Sequence, residues 1–271
     1  MKIQFESSSV VIFESALFRT TSTLIISDDH IVLIDPNWFP IELQFIQNYI
    51  SKLDATLKKY LFFTHSDYDH IIGYNFFKGY KTIASRNFIN QKAKDTILEK
   101  IGTIDDDNYT IREYTLAYPK IDIIIEEQQT RLQLRTKEYE VGYLLGHNDN
   151  SVYLMDTHNK LLIAGDYLSN IEFPYLYHSF QAYIHSLETL TKLISSGRAA
   201  MLIPGHGDYT IEQREMKKRI EDSNQYLKNL KEHCQGKQVF DFDEYVKRYS
   251  FPKVMHKFHE ANLKLVEKEL G

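Results

Sequence analysis

Apolar residues in the first third of the chain fall into short runs that turn-forming residues separate, and this pattern predicts β-strands. The runs are Val10–Phe13, Ser22–Ile26 and Ile31–Ile34. Between residues 40 and 58 the apolar positions recur at helical spacing, and Leu61-Phe62-Phe63 then has the length of a buried strand. Strands that alternate with a helix predict an α/β layered fold, in which ligand sites gather beyond the strand ends.

The middle and end of the chain continue the mixed pattern. A helix is predicted over 86–101, followed by an acidic loop at Asp105–Asn108. The later strands are predicted at Ile121–Ile125, Arg131–Leu134, Tyr139–Leu144, Ser151–Met155 and Lys160–Ala164. Amphipathic helices are expected over 183–195 and 211–232, with a helical tail over 239–271. We therefore expect a main domain at 1–210, large enough to carry a catalytic site, and a helical extension packed on it at 211–271.

Composition narrows the class of protein. The chain has 271 residues, of which 43% are apolar, and a formal net charge of −5. That balance argues against a nucleic-acid binder, which normally carries a basic footprint. With Cys234 as its one cysteine the chain cannot form an internal disulfide, and no run approaches the ~18 apolar residues that a membrane span needs. The first residues do not have the pattern of a signal peptide, so we expect a cytoplasmic protein that binds no membrane.

The stretch Thr64-His65-Ser66-Asp67-Tyr68-Asp69-His70 concentrates metal-capable side chains directly after the strand at 61–63. On an extended segment alternate side chains point the same way, so His65, Asp67 and Asp69 would share one side. His70 would lie at the turn into the next element. A polar turn without metal is the alternative interpretation of this stretch alone.

Three later positions repeat one local pattern, an apolar strand followed by glycine beside a possible ligand. They are Gly146-His147, Gly165-Asp166 and Gly205-His206. Glycine in such a place allows close backbone approach or a left-handed turn at the strand end. Possible ligands from several strand ends are what a folded metal site requires.

These blocks resemble the metallo-β-lactamase superfamily. Asp35 in Leu33-Ile34-Asp35-Pro36 matches its first motif, and the stretch at 65–70 matches its His-x-His-x-Asp-His motif except at Asp67. His147, Asp166 and His206 match the third, fourth and fifth motifs in order. The resemblance covers about residues 30–210 and implies a four-layer αβ/βα sandwich with a dinuclear metal site between its sheets.

The resemblance also implies the role of each residue. The ligands would be His65, Asp67 and His147 for one metal ion, Asp69, His70 and His206 for the other, and Asp166 bridging both. Asp35 would support a ligand by hydrogen bonding rather than bind metal. Two such ions lower the pKa of a shared water and so produce a hydroxide at neutral pH. Asp69 would orient that hydroxide and pass its proton to the leaving group, so Asp69 and Asp166 are the expected catalytic residues.

Asp67 departs from the commonest pattern of the family, which has histidine there, although the redox members also have an acidic residue at this place. A carboxylate adds negative charge and is a harder ligand, so iron or manganese become alternatives to zinc, the first expectation for the two divalent ions. Three interpretations remain: a full dinuclear hydrolase, a single metal held at Asp69, His70 and His206, or a diiron redox centre. The redox members normally carry a flavodoxin-type partner domain, for which this chain has no room.

The substrate is less clear from sequence, because the fold supports several kinds of hydrolysis. Aromatic residues cluster beside the expected metals, and a tyrosine hydroxyl there could donate to an oxyanion. The pocket candidates are Tyr68, Tyr167, Tyr175, Tyr177 and His178. We expect a metal-dependent hydrolase of a small ester, thioester or lactone-like substrate; phosphodiester hydrolysis and a non-catalytic, metal-stabilised binding or regulatory protein are the alternatives. The helix from about 253 to 270 would either cover the pocket mouth or form a homodimer contact.

Overall fold

The computed structural model describes residues 1–128 and 130–271, which form two β-sheets flanked by helices. The first sheet has seven strands in the order β1 to β7: Lys2–Glu6, Val10–Glu14, Thr21–Ile26, His30–Ile34, Lys58–Phe62, Lys81–Ser85 and Ile123–Ile125. β1 to β4 are antiparallel neighbours, whereas β4, β5, β6 and β7 run parallel. β1 was not among the predicted strands; it pairs with β2 at the edge of the sheet.

The second sheet has five strands in the order β12-β11-β10-β9-β8. Their bounds are β8 Arg131–Leu134, β9 Lys137–Tyr143, β10 Val152–Asp156, β11 Leu161–Ile163 and β12 Met201–Ile203. β11 and β12 are parallel, and α5 connects them. The α-helices are α1 Pro40–Ile50, α2 Tyr68–Ile71, α3 Arg86–Ile89, α4 Lys94–Asp107, α5 Phe180–Ser195, α6 Gln213–Cys234, α7 Phe242–Tyr245 and α8 Pro252–Leu270.

Alternation of side chains along the strands builds three apolar cores. Val10 and Ile12 of β2 lie in the core between the two sheets, whereas Val11 and Phe13 lie in the core under α1 and α4. Leu162 of β11 faces the third core, under α5, α6 and α8. Helix, sheet, sheet, helix is therefore the layer order, and the predicted αβ/βα sandwich with C-terminal helices is confirmed.

Three local predictions were wrong. The predicted helix over 86–101 is divided into α3 and α4, and the predicted acidic loop is the last turn of α4. Asp105 accepts two hydrogen bonds of 2.7 Å from the guanidinium of Arg112, so a partner seven residues later neutralises the end of this helix. Asp69 also does not lie on an extended segment, because it belongs to α2 together with His70.

Candidate metal centre

The candidate ligands follow the carboxyl ends of strands from both sheets. Asp35 follows β4, His65 follows β5, Asp166 follows β11 and His206 follows β12. Backbone hydrogen bonds join these ends: Gly205 N–H donates to the Gly165 carbonyl over 2.7 Å within the second sheet, and Thr21 N–H of the first sheet donates to the Gly205 carbonyl over 2.7 Å. The ends of the two sheets are thereby held against each other, with the candidate ligands between them.

Gly205 shows why glycine stands beside a ligand. A Cβ atom placed on Gly205 would lie 2.2 Å from Asp166 Oδ1 and 3.0 Å from His70 Cε1. No side chain fits there without displacing a carboxylate that all the ligand histidines surround. The sequence pattern of glycine next to a possible ligand therefore has a steric cause at this position.

One half of the centre contains two histidines and two aspartates. Nε2 of His147 lies 3.2 Å from Asp67 Oδ2 and 3.3 Å from Asp166 Oδ2. Nε2 of His65 lies 3.5 Å from Asp166 Oδ2 and 3.8 Å from Asp67 Oδ2. One ligand atom from each of the four residues falls within 4.8 Å of the others, a spacing that a single ion can bridge.

The other half contains Asp69, His70 and His206. Nε2 of His206 lies 3.3 Å from Asp69 Oδ2, and Nε2 of His70 lies 3.8 Å from the same oxygen. Asp166 joins this half to the first, since its Oδ1 lies 3.1 Å from His70 Nε2 and its Oδ2 lies 3.5 Å from His206 Nε2. The seven residues expected from the sequence thus lie together, with Asp166 between the two halves.

Hydrogen bonds on the outer side fix two of the imidazoles through Asp35. Asp35 Oδ2 accepts from His70 Nδ1 over 2.9 Å and from Thr64 Oγ1 over 2.5 Å, while Oδ1 accepts from Thr64 N–H over 2.8 Å. Because the Thr64 hydroxyl already donates to Asp35, it accepts from His65 Nδ1, 2.9 Å away. Both imidazoles therefore keep a proton on Nδ1 and direct Nε2 inward, where it can bind a metal ion in place of a proton.

Backbone carbonyls fix the orientation of the other two imidazoles. His147 Nδ1 donates to the Tyr175 carbonyl over 2.9 Å, and His206 Nδ1 donates to the Phe18 carbonyl over 3.0 Å. All four histidines consequently direct Nε2 toward the carboxylates. That common tautomer is the arrangement of metal-ligating imidazoles.

Unpartnered buried atoms test whether a metal fits. Within the described part of the chain, His65 Nε2, His70 Nε2 and Asp166 Oδ1 are buried and have no hydrogen-bond partner. Buried polar atoms of native proteins rarely lack a partner, and a cation would satisfy all three. Asp35 also lies near His65 and His70, but its oxygens are already occupied by donors, so it orients ligands instead. The residues fit a divalent cation.

The charges of the centre also favour a bound cation. Burial opposes ionisation of Asp67, but its hydrogen bond with His147 and the neighbouring imidazoles hold its pKa well below the usual range. Burial likewise opposes protonation of His147, yet hydrogen bonds to Asp166 and Asp67 raise its pKa to about 10. The carboxylates thus gather positive charge, in the form of protons when no metal is present. Metal binding must displace those protons.

A cavity of about 260 Å³ opens onto the centre. Its wall includes Asp67, Asp69, His147, Asp166 and His206. Three of the expected pocket residues also line it: Tyr68, Tyr175 and Tyr177. A centre that faces a cavity keeps a coordination position accessible to a substrate.

Tyr167 and His178, which were also expected in the pocket, do not line this cavity. Tyr167 is buried behind His147, where its hydroxyl donates to the Leu145 carbonyl over 2.9 Å and accepts from His147 N–H over 3.1 Å. His178 is exposed at the surface. The chain turns after Tyr177 to begin α5, and this turn directs the next side chain away from the cavity.

Two contributions to the cavity were not specified by residue from the sequence. Glu172, in the loop after β11, contributes a carboxylate to its wall. Helix α8 contributes Val254, Lys257 and Phe258, so the tail borders the cavity, one of the two roles expected for it. Glu172 belongs to no motif, and only its position six residues after Asp166 could have suggested it.

Comparison with known proteins identifies the family. A sequence model described as the metallo-beta-lactamase superfamily matches residues 16–206, a span that contains every candidate ligand. The chain belongs to the metallo-β-lactamase superfamily. No curated protein sequence matches this superfamily member.

Solved structures share the fold of this superfamily member. A stereoselective inverting sec-alkylsulfatase from Pseudomonas sp. is 14% identical with a TM-score of 0.68; the match covers 97% of this chain and 50% of that one, so this chain spans about half its length. A metallo-β-lactamase family protein from Thermus thermophilus is 15% identical with a TM-score of 0.64, covering 96% and 94%. The DIM-1 metallo-β-lactamase is 15% identical with a TM-score of 0.59, covering 83% and 97%. At these identities the likeness concerns the fold.

Across residues 1–128 and 130–271, no helix combines the length and the apolar character that crossing a membrane requires.

Proposed function

We propose that this chain is a metal-dependent hydrolase with a two-metal centre, acting on a small ester, thioester or lactone-like substrate. The observation that carries the proposal is the common direction of four imidazoles, each of which donates Nδ1–H outward and presents Nε2 to the carboxylates. The cavity wall supports catalysis over a purely structural site, because ligands from both halves of the centre border open space.

The proposed ligand sets follow the two halves of the centre. His65, Asp67 and His147 would hold one ion, Asp69, His70 and His206 the other, and Asp166 would contact both. When bound, the ions would supply Lewis-acid polarisation of a substrate oxygen and a water of lowered pKa. With three carboxylates the donor set is anionic and partly hard, which favours manganese or iron alongside zinc.

The protein's own groups would position the substrate and move a proton. Asp69 borders the cavity and lies against His206, so it is placed to orient a water molecule and to pass a proton to the leaving group. Burial raises the pKa of Tyr68 well above its usual range, so its hydroxyl keeps its proton. A protonated hydroxyl in the cavity wall is suited to donate to a developing oxyanion.

Elemental analysis of protein purified without chelator tests the metal content. About two equivalents of zinc, manganese or iron per chain support the dinuclear centre. One equivalent supports the mononuclear alternative at Asp69, His70 and His206. No bound metal, and none after zinc, manganese and ferrous iron are added back, would sink the proposal.

A substrate panel then tests the reaction class. The metal-loaded protein is assayed with nitrophenyl esters, thioesters, lactones, a nitrophenyl phosphodiester and a secondary alkyl sulfate, the last because a sec-alkylsulfatase shares the fold. Asp69→Asn is expected to lower kcat on any active substrate by about 10²- to 10⁴-fold. Asp95→Asn, the same change at an exposed position of α4, should leave it unaltered. Full metal loading without any turnover would favour the non-catalytic binding protein.

A further inference from the structure

Glu172 is a carboxylate in the cavity wall that the proposed metal centre does not use. It is half-buried and lies outside the clusters of possible metal ligands. In the part of the chain that the structure describes, no hydrogen bond or ion pair engages its carboxylate. Burial is the main cause that raises the pKa of Glu172; of the neighbouring charges, His206 and His147 lower this pKa, whereas Asp166 and Asp69 raise it.

The basic side chains of a neighbouring cavity are engaged with other groups. This second cavity, of about 520 Å³, shares Glu172 with the first and is also bordered by Lys218, Arg219 and Arg248. Arg248 lies over the Tyr245 ring at 4.1 Å and 3.9 Å from an Asp222 oxygen. Arg219 donates to Glu215 over 3.0 Å and to the Asp208 carbonyl over 2.8 Å, while Lys218 pairs with Asp222 over 2.8 Å. These partners hold the cations away from Glu172, so the cavity retains its negative charge.

Aromatic rings form much of the remaining wall. Tyr175 lies between Tyr177, at a centroid distance of 4.2 Å, and Phe258, stacked at 4.4 Å and 19°. Phe173 and Tyr68 line the same cavity. The faces of such rings attract cations, and Lys100 already places its ammonium 5.7 Å from the Tyr68 ring and 5.9 Å from the Tyr177 ring.

Lys257 is the basic residue in the lining of this cavity, and its effect differs from that of Glu172. It is exposed on α8, where water screens its charge, and no ion pair with Glu172 exists among the described residues. Glu172 is less exposed, so a group inside the cavity meets its carboxylate in a less screened environment. Aromatic faces and a carboxylate that is partly shielded from water are groups that bind organic cations.

We propose that Glu172 and the aromatic wall select substrates whose non-reacting part carries an ammonium group. The carboxylate would supply the counter-charge, and the rings of Tyr68, Tyr175 and Tyr177 would supply cation–π contacts. This inference rests on the proposed hydrolase function and names its substrate class. Glu172 is a specificity-determining residue in this scheme, separate from the groups that hold metal.

Two thioesters of the same shape test the proposal. Acetylthiocholine carries a quaternary nitrogen where 3,3-dimethylbutyl thioacetate carries a quaternary carbon, so the two have the same shape. Each kcat/KM is divided by the rate of the same thioester with hydroxide, because the cation also makes its thiol a better leaving group. For the metal-loaded protein we expect this corrected kcat/KM to be about tenfold or more higher for the cation. Glu172→Gln should bring the corrected ratio close to one, and Glu172→Asp should retain part of it. Glu221→Gln, the same change at an exposed site on α6, should keep the full ratio.

The ratio is measured within each variant, so a variant that folds or binds metal less well still reports selectivity. Equal corrected kcat/KM values for the two thioesters, or a ratio unchanged in Glu172→Gln, would overturn the proposal. Preference for a third thioester with a carboxylate in place of the quaternary group would overturn it also and assign selectivity to Lys257. If no thioester is hydrolysed, the proposed function fails, and calorimetry with choline decides separately: binding that Glu172→Gln abolishes supports the site, and no binding refutes it.

Discussion

At the scale of single residues, Asp35 determines how two of the imidazoles face the centre. Its two oxygens accept from Thr64 N–H, Thr64 Oγ1 and His70 Nδ1, and Thr64 carries the effect on to His65. Its backbone adopts a left-handed conformation with φ of 47°, which aspartate and asparagine tolerate better than most residues. Asparagine can therefore replace it without backbone strain, while changing what the side chain accepts.

Asp35→Asn is expected to weaken metal binding by about 10- to 100-fold, because an amide nitrogen would face donors where a carboxylate oxygen accepts them. The His70 or Thr64 donor would lose its acceptor, and the imidazoles would lose their fixed direction. Competition with a chromophoric chelator measures the metal affinity. Asp28→Asn, at an exposed position on the β3–β4 turn, is the matched control. Equal affinity in the two variants would show that Asp35 does not position the ligands.

Four of the seven candidate ligands could be predicted from a local pattern, a strand followed by a glycine or a threonine and then the ligand; the other three could be predicted because Asp67, Asp69 and His70 crowd into one short stretch with His65. The cavity wall could be predicted less well. Tyr167 and His178 flank the aromatic segment in sequence, but the direction of the chain after β11 places one behind His147 and the other at the surface. Glu172 belongs to no sequence motif, and a single glutamate in a loop indicates a role only when its surroundings are known.

At the scale of elements, α8 is connected to the metal centre by hydrogen bonds. Asn262, fully buried, accepts from Leu176 N–H over 2.8 Å and donates to the Pro174 carbonyl over 2.7 Å. These contacts hold both sides of Tyr175, whose carbonyl accepts from His147 Nδ1. The helical tail thus supports a ligand whose motif lies more than a hundred residues earlier.

Asn262→Ala is expected to lower the free energy of unfolding by about 2–4 kcal/mol, because it leaves buried partners unsatisfied. It should also weaken metal binding, since the Tyr175 carbonyl loses its support. Urea unfolding of metal-free and metal-loaded protein measures both effects in one series. Lys264→Ala, at an exposed position of α8, is the control for a change in the same helix. A loss of stability with no change in the metal-induced increment would limit Asn262 to a packing role.

Most elements could be predicted because hydrophobic periodicity is a local property. The wrong predictions arose where a distant residue decides the local structure. Three consecutive aspartates suggested a loop, but Arg112 neutralises Asp105 and also donates to the Trp38 carbonyl over 2.9 Å, so the end of α4 is held in place. Asp69 was placed on an extended segment, but Asp67 caps a helical turn that contains Asp69 and His70.

At the scale of the whole molecule, the three apolar cores differ in the elements that build them. The core between the sheets is built from strand residues alone, whereas the outer core on the second sheet unites β10, β11, α5, α6 and α8. That outer core also holds polar and titratable groups. Tyr226 accepts from Asn262 Nδ2 over 2.9 Å, so its hydroxyl donates to His259 Nδ1, 3.0 Å away. Phe242 stacks on the His259 ring at 3.8 Å.

This environment makes the outer core sensitive to pH. Burial, together with the neighbouring charges of His233 and His256, lowers the pKa of His259 to about 4 from 6.5. As pH falls, the unfolded chain therefore takes up this proton before the folded chain does. The stability that neutral His259 contributes is complete above pH 6.5 and is lost as pH falls from 6.5 toward 4.

His259→Phe tests this linkage, because phenylalanine preserves the stack on Phe242 but cannot titrate. Allowing for solvent screening, the free energy of unfolding of the unaltered chain should fall by about 2 kcal/mol more than that of the variant between pH 7 and pH 4.5. Urea unfolding of both metal-free proteins at several pH values gives this difference. The metal ligands and surface carboxylates contribute equally to the pH dependence of both proteins, so their contributions cancel. The lost acceptor for Tyr226 lowers the variant's stability equally at every pH. Parallel pH profiles for the two proteins would show that His259 is not the group that couples this core to pH.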